Sequence, residues 1–372
     1  MNTTILFTVI GIYIVAWLIQ IVHYLVFMRS PKGESKDRIE GSLPPVSVII
    51  CARNEAENLK NFLPRVLEQD YPKFQVVVVN DCSTDDTEIV LAQMKRQYDH
   101  LYFTSIPVDK KFFHGKKLAL SIGVKAAQYD HLILTDADCY PASGNWLKNM
   151  ATQFSSKKEL VIGYGKYEKR KGLLNLFVRY ETFWNAVQYV GFVIAGKPFM
   201  GVGRNLAYKK SLFQESNVFR SYLNVASGDD DLFINQMGNR TNTAVCIHPE
   251  GQTVSVPVTS FFSWWNQKSR HLTTSVFYPW AIKFWLGLEV LSRQIFWVLT
   301  LCSYFFPTFV RYSLLLFLTR LLLQYVVLGR ASKRMGEKHL FWATILFDFI
   351  TPLLLGALWV SNLMRPKNNK WK

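Results

Sequence analysis

The 372-residue chain reads as an α/β protein set between apolar ends long enough to enter a membrane. Three observations carry this. From residue 46 to about 135, short β-branched runs alternate with helical patterns, which predicts a parallel sheet sandwiched by helices. Hydrophobic residues make up 49% of the chain, and they concentrate at the two ends and leave a soluble middle. Two acidic clusters, Asp136-Ala137-Asp138 and Gly228-Asp229-Asp230-Asp231, lie within that middle, each beside a hydrophobic run.

The elements follow in order. Residues 1–29 read as an N-terminal transmembrane helix: Ile5 to Met28 is apolar except for Gln20 and His23, and long enough to span a bilayer. It has no basic n-region and no small-residue cleavage site, which argues against a removed signal peptide. Arg29, Lys32, Lys36 and Arg38 follow at once, placing the N-terminus outside and the next domain in the cytoplasm. Residues 30–45 form a polar linker ending in Pro44-Pro45, and residues 46–274 form the soluble domain. Val46–Cys51, Val76–Asn80, Leu101–Ile106 and His131–Thr135 read as buried strands. Asn54–Glu68, Thr84–Gln97 and Lys116–Ala127 read as the helices between them. Residues 275–364 read as an interfacial helix and two to three transmembrane helices: Ser275–Val290 is the interfacial helix or the entry to a span, and the runs Ile295–Val310, Ser313–Leu328 and Leu340–Met364 follow. Residues 365–372 are a basic tail. Three C-terminal crossings would put that tail outside, against the charge rule, so one segment is interfacial or re-entrant, or the tail is an exception.

The net charge of +16 invites a nucleic-acid reading, but no nucleic-acid motif accompanies it and many of the Lys and Arg residues flank apolar segments. Attraction to an anionic membrane surface accounts for them, and no nucleic-acid partner is expected. The five cysteines show no metal spacing and read as reduced thiols of a cytosolic compartment.

The candidate chemistry lies at strand ends, where open α/β sheets bind ligands. Arg53-Asn54-Glu55 puts a cation and a carboxylate where a nucleotide fits; the plainer reading is a salt-bridged helix start. Asp81 ends the second strand and can accept a hydrogen bond from a uracil N–H, whereas Ser83, Thr84 and Asp85 read as caps of the next helix. Lys116, after Gly115, opens a helix and can meet a phosphate. Asp136 and Asp138 are like charges on one strand end and call for a cation. Hard carboxylates suit Mg²⁺ or Mn²⁺ bound together with substrate phosphates. Asp229, Asp230 and Asp231 offer a general base, or simply an acidic first turn of the helix Leu232–Met237.

These motifs occur in a fixed order: Val48-Ile49-Ile50-Cys51-Ala52-Arg53-Asn54-Glu55, Val79-Asn80-Asp81, Gly115-Lys116-Lys117, Asp136-Ala137-Asp138, Gly228-Asp229-Asp230-Asp231, Gln267-Lys268-Ser269-Arg270. Over roughly residues 46–275 the chain resembles the membrane-bound family 2 glycosyltransferases, which include ceramide glucosyltransferase-like enzymes and the cellulose and hyaluronan synthases. The resemblance implies a GT-A-type, Rossmann-like mixed sheet and an inverting transfer from a nucleotide sugar, expected to be UDP-linked. It places Arg53, Asn54 and Glu55 at the nucleoside, Lys116 and Arg270 at the diphosphate with Gln267 beside them, and Asp138 as the more direct metal ligand next to Asp136. The base is Asp230 by likeness to the synthases and Asp231 by likeness to the glycolipid enzymes; Asp230 is preferred. Gly203 and Asn205 fall in the acceptor-side segment. His271 replaces the Trp that closes the family's QxxRW pattern, with Trp264 and Trp265 as substitute stacking surfaces. The expected acceptor is a membrane lipid or lipid-linked molecule and the expected site the bacterial inner (cell) membrane. A processive polysaccharide synthase and a non-catalytic nucleotide-binding scaffold are the alternatives.

Overall fold

The computed structural model describes residues 3–28, 43–107, 115–216 and 228–364. Most of the expected linker 30–45, its basic cluster and the tail 365–372 lie outside the described residues.

The first four strands run where the β-branched segments place them: β1 (Val46–Ala52), β2 (Phe74–Asp81), β3 (Leu101–Ile106) and β4 (His131–Asp136). They are parallel, in the order β3-β2-β1-β4, and the interiors of β1, β2 and β4 are buried. Burial on both faces is why these runs are continuously apolar rather than alternating. The chain leaves β1 for β2 on one side, while β4 lies on the other, so a crevice opens where the strand order reverses. Cys51 of β1 pairs in register with Asp136 of β4 at that crevice. Beyond β4 the sheet becomes mixed: β8 (Leu206–Lys209) is antiparallel to β4 and to β6 (Leu160–Gly163), and β9 (Thr243–Cys246) closes the edge parallel to β6. A second sheet joins β5 (Cys139–Pro141), β10 (Thr253–Ser255) and β7 (Gly165–Tyr167).

Two helices start later than their periodicity suggests. Asn54 has a φ of 56°, and its side chain accepts from the Thr84 amide at 2.8 Å. Asp85 accepts from the amides of both Ala56 and Thr87. Ser83, Thr84 and Asp85 therefore tie the β1 and β2 loops together, and the helices begin at Ala56 and Thr87.

Among the described residues, four helices are long and apolar enough to cross a membrane: Thr3–Met28, Trp280–Ser303, Pro307–Met335 and Thr344–Met364. The segment expected as an interfacial helix or the entry to a span, Ser275–Val290, runs from Trp280 into one continuous helix as far as Ser303. A buried charge network joins the four. Asp348 pairs with Arg320 at 2.9 Å and Arg293 at 3.5 Å, and Arg293 also pairs with Glu289. Gln20 accepts from Arg320 and donates to Ser292. Removing one partner leaves a buried charge uncompensated, so Asp348→Ala is expected to destabilise by about 3–5 kcal/mol. Thermal melting in detergent would read this as a lowered Tm, and an unchanged Tm would show that the network carries little.

Helix Thr344–Met364 is fixed to the soluble domain at both ends. Before it, Glu337 pairs with Arg179 and accepts from the Tyr164 hydroxyl, and Gln252 donates to the Met335 carbonyl. Phe347 packs against Phe177 and Tyr180. At its far end, Asn362 donates to the Ser269 carbonyl at 2.8 Å.

Candidate active site

A cavity of about 1020 Å³ lies at the crevice between β1 and β4. Asp136 and Asp138 reach it from the end of β4, Lys116 from the start of helix Lys116–Ala126, and Asp229 to Asp231 from the start of helix Asp231–Met237. Gln267, Arg270 and His271 enter from helix Phe261–Leu272, and Arg53 and Glu55 from the loop after β1.

Lys116 is the hub. Its Nζ lies 2.8 Å from Asp136 and 3.2 Å from Asp229. Burial alone would lower its pKa, but Asp136, Asp229 and Asp230 outweigh that and hold it well above its usual value. Asp230 caps helix Asp231–Met237, accepting from the Asp231 amide at 2.9 Å and the Gly203 amide at 2.7 Å. Burial, then repulsion from Asp229, raises its carboxyl to about 6, against the attraction of Lys116 and the two amides. Gly203 is close-fitting here: a Cβ would lie 3.2 Å from Lys116 Nζ and 3.3 Å from Asp230.

Asp231 has different surroundings. One of its oxygens accepts from Tyr278 at 2.6 Å and from Thr274 at 3.3 Å. Burial, then Asp230, holds its carboxyl well above the usual carboxylate range, and the two hydroxyls tie it to the segment entering the membrane helices. Of the two alternatives left by the sequence, Asp230 sits beside Lys116 and the Gly203 amide, whereas Asp231 is engaged by Tyr278 and Thr274. Since Lys116 depresses Asp230, Lys116→Met is expected to move the acidic limb of the pH–rate profile to higher pH. The limb read on wild type and variant checks this; an unmoved limb would take Asp230 out of the rate law.

Asp136, Asp138 and Cys139 bring their candidate ligand atoms within 4.8 Å of one another. Burial, then the two carboxylates, pushes the Cys139 thiol well up, and its Sγ hydrogen-bonds with Asp138 and Ser255. A neutral thiol is a poor ligand, so the usable donors are the two carboxylates, a hard set that fits Mg²⁺ or Mn²⁺ shared with substrate phosphates. Gln267 Oε1 and Arg270 Nε are buried with no hydrogen-bond partner, which suits a pair awaiting a polar ligand.

Other expected residues lie elsewhere. Asp81 is fully buried at the end of β2, 3.8 Å from Arg53. Asn54 ties two loops together and does not line the cavity. Asn205 is buried and satisfied: it donates to the Tyr164 and Gly251 carbonyls and accepts from Trp146, which makes it a core polar bridge rather than an acceptor contact. Trp264 packs in the core against Phe177 and Trp265 packs beside it; neither lines the cavity, so they offer no stacking surface there. His271 does line it. Enclosure, then Lys268, Arg270, Arg204 and Lys116, keeps its imidazole neutral, with its pKa well below the usual value. The sequence reading passed over Glu181, Asn185 and Gln188, which line the cavity from helix Leu173–Ile194. Their spacing of four and three residues on an otherwise apolar helix was the available signal.

Residues 47–216 match the protein-family model for Glycosyl transferase family 2. This segment is a family 2 glycosyltransferase domain. The family 2 match ends before Asp229 and Gln267, so their place in the site rests on the geometry above. The domain is 27% identical over 128 residues to poly-beta-1,6-N-acetyl-D-glucosamine synthase of Staphylococcus epidermidis, covering 33% of this chain and 29% of that protein. It is 31% identical over 102 residues to the enzyme of the same name from Staphylococcus aureus, covering 27% of this chain and 23% of that protein. The match thus spans under a third of these relatives. The fold is like that of the mannosyltransferase PcManGT from Pyrobaculum calidifontis, solved with GDP-Man and Mn²⁺: TM-score 0.56, 19% identity, covering 93% of this chain and 97% of that one.

Proposed function

We propose that the chain is an integral membrane glycosyltransferase that moves a sugar, with inversion, from a nucleotide sugar, by preference UDP-linked, to a lipid or lipid-linked acceptor. One observation carries this. A carboxylate pair suited to a metal, a capped Asp raised to about 6, and an Arg and a Gln with unpartnered buried atoms all face one cavity. Asp136 and Asp138 would hold Mg²⁺ or Mn²⁺, which when bound offsets charge on the nucleotide diphosphate. Arg270 supplies a guanidinium to the same phosphates and Lys116 adds positive charge beside Asp136. Arg53 and Glu55 would meet the nucleoside, with buried Asp81 behind Arg53. Asp230 takes the proton from the acceptor hydroxyl as that oxygen attacks the anomeric carbon. The catalytic domain faces the cytoplasm of a bacterial cell, with the apolar helices in its inner membrane.

The test supplies detergent-solubilised protein with radiolabelled UDP- and GDP-sugars, membrane lipids and Mn²⁺ or Mg²⁺, then partitions the label. Label in the organic phase, lost with EDTA and in Asp138→Ala, is the expected result. The similarity to poly-beta-1,6-N-acetyl-D-glucosamine synthases favours a second reading, polysaccharide synthesis, for which label would instead appear in high-mass aqueous material. No transfer from any donor would sink both readings.

A further inference from the structure

The cavity does not end at the carboxylates. It continues between helix Trp280–Ser303 and helix Thr344–Met364, where Leu286, Gly287, Leu291, Leu355, Gly356 and Trp359 form its walls. Leu291 and Trp359 are 54% and 61% exposed while lining it, so the cavity opens sideways on the lipid-facing surface. The two glycines keep the gap. A Cβ on Gly287 would meet nothing within 4 Å, and one on Gly356 would meet only Gln294, at 3.4 Å. The helices are held together beside the gap by Gln294, which donates to the Pro352 carbonyl at 2.8 Å.

Polarity changes along this passage. Its outer part is apolar. Its inner part carries Glu181, Asn185, Gln188 and Glu289 between the opening and Asp230. The charges there are already matched: Glu181 pairs with Lys268, and Glu289 with Arg293. Asn185 donates to Glu181 and Gln188 to Glu289, so the two amide oxygens, rather than the buried carboxylates, are the acceptors this wall presents. Such a wall receives hydroxyl donors.

We propose that this passage is a lateral portal for an amphiphilic acceptor with a hydroxyl-bearing head. Its hydrocarbon chain stays between Gly287 and Gly356 while the head passes Asn185 and Gln188 to present a hydroxyl to Asp230. The inference rests on the glycosyl-transfer reading for its last step, but the portal itself is tested by binding.

Full-length protein in vesicles is given diacylglycerol with a diazirine on its acyl chain and irradiated; a phosphatidic acid with the same chain is the anionic comparison. Labelling is expected in the peptides that carry Gly287 and Gly356, stronger with diacylglycerol. Gly287→Phe and Gly356→Phe fill the gap without a backbone clash and are expected to lower both that labelling and lipid transfer by about tenfold or more. Leu314→Phe, on a lipid-facing surface of helix Pro307–Met335, is the control that keeps both. Label spread evenly over lipid-facing residues and unchanged by either Phe overturns the portal. Stronger labelling by phosphatidic acid, whose phosphate stands in place of the free alcohol, overturns the hydroxyl-bearing head. Portal labelling in a protein that turns over no nucleotide sugar leaves the portal standing and sinks the transfer reading.

Discussion

Asp230→Asn is expected to lower sugar transfer by about 10²–10⁴-fold, the range of a lost general base. Asn keeps the size of the side chain and can still accept from one of the two amides through its Oδ1, but its Nδ2 cannot accept the other, so one cap bond is lost together with proton acceptance. The pH dependence follows from the same group. A base works only when ionised, and Asp230 stands at about 6 because burial and Asp229 oppose its charge. The wild-type rate should therefore fall as pH drops below about 6 and level off above it, and the variant should lose this limb together with its rate. Asp231→Asn should act differently: its carboxyl accepts from Tyr278 and Thr274, so its loss should appear first as lower stability. Initial rates from pH 4.5 to 8.5 on the three proteins decide this. If Asp231→Asn abolishes the limb and Asp230→Asn does not, the assignment is reversed.

The C-terminal tail is expected on the same side of the membrane as the catalytic domain. Helix Thr344–Met364 meets every length and composition criterion for a span. A crossing must leave its two ends about 30 Å apart on opposite faces. Here Glu337 before the helix is bound to Arg179 and Tyr164, and Asn362 at its end donates to the Ser269 carbonyl, two residues after Gln267 of the cavity wall. Both anchors belong to the catalytic domain, so this one continuous helix is expected to lie along the membrane face of that domain rather than to cross. Three crossings would then remain, and the basic tail is expected on the side of the catalytic domain, as the charge rule asks. Single cysteines at Lys372 and Lys157, in a Cys302→Ser background, should react with an impermeant maleimide in the same orientation of sealed vesicles. Opposite accessibility would make the helix a fourth crossing.

Much of the donor half was legible in the sequence because it follows strand ends. Asp136 and Asp138 end a β-branched run, and Lys116 opens a helix after a glycine. The acceptor half was less legible, because its residues act through tertiary contacts. Trp264 reads as a stacking surface by its place before Arg270, yet Phe177 and the core claim it. Asn205 reads as a site residue beside Gly203, yet three hydrogen bonds turn it inward. Hydropathy over Leu340–Met364 registers length and apolarity; it carries no information on which side each end is tied. The pairing of Lys116 with both Asp136 and Asp229, 20 and 113 positions away along the chain, appears only once the sheet is closed.

The most direct test of a single displacement at Asp230 is the anomeric configuration of the first product. Proton NMR of that product, made from the donor that the labelled panel identifies, reads it from the anomeric coupling. A sugar α-linked in the donor should appear β-linked in the product. Retention of the donor configuration would contradict a mechanism in which Asp230 deprotonates the acceptor for one in-line attack.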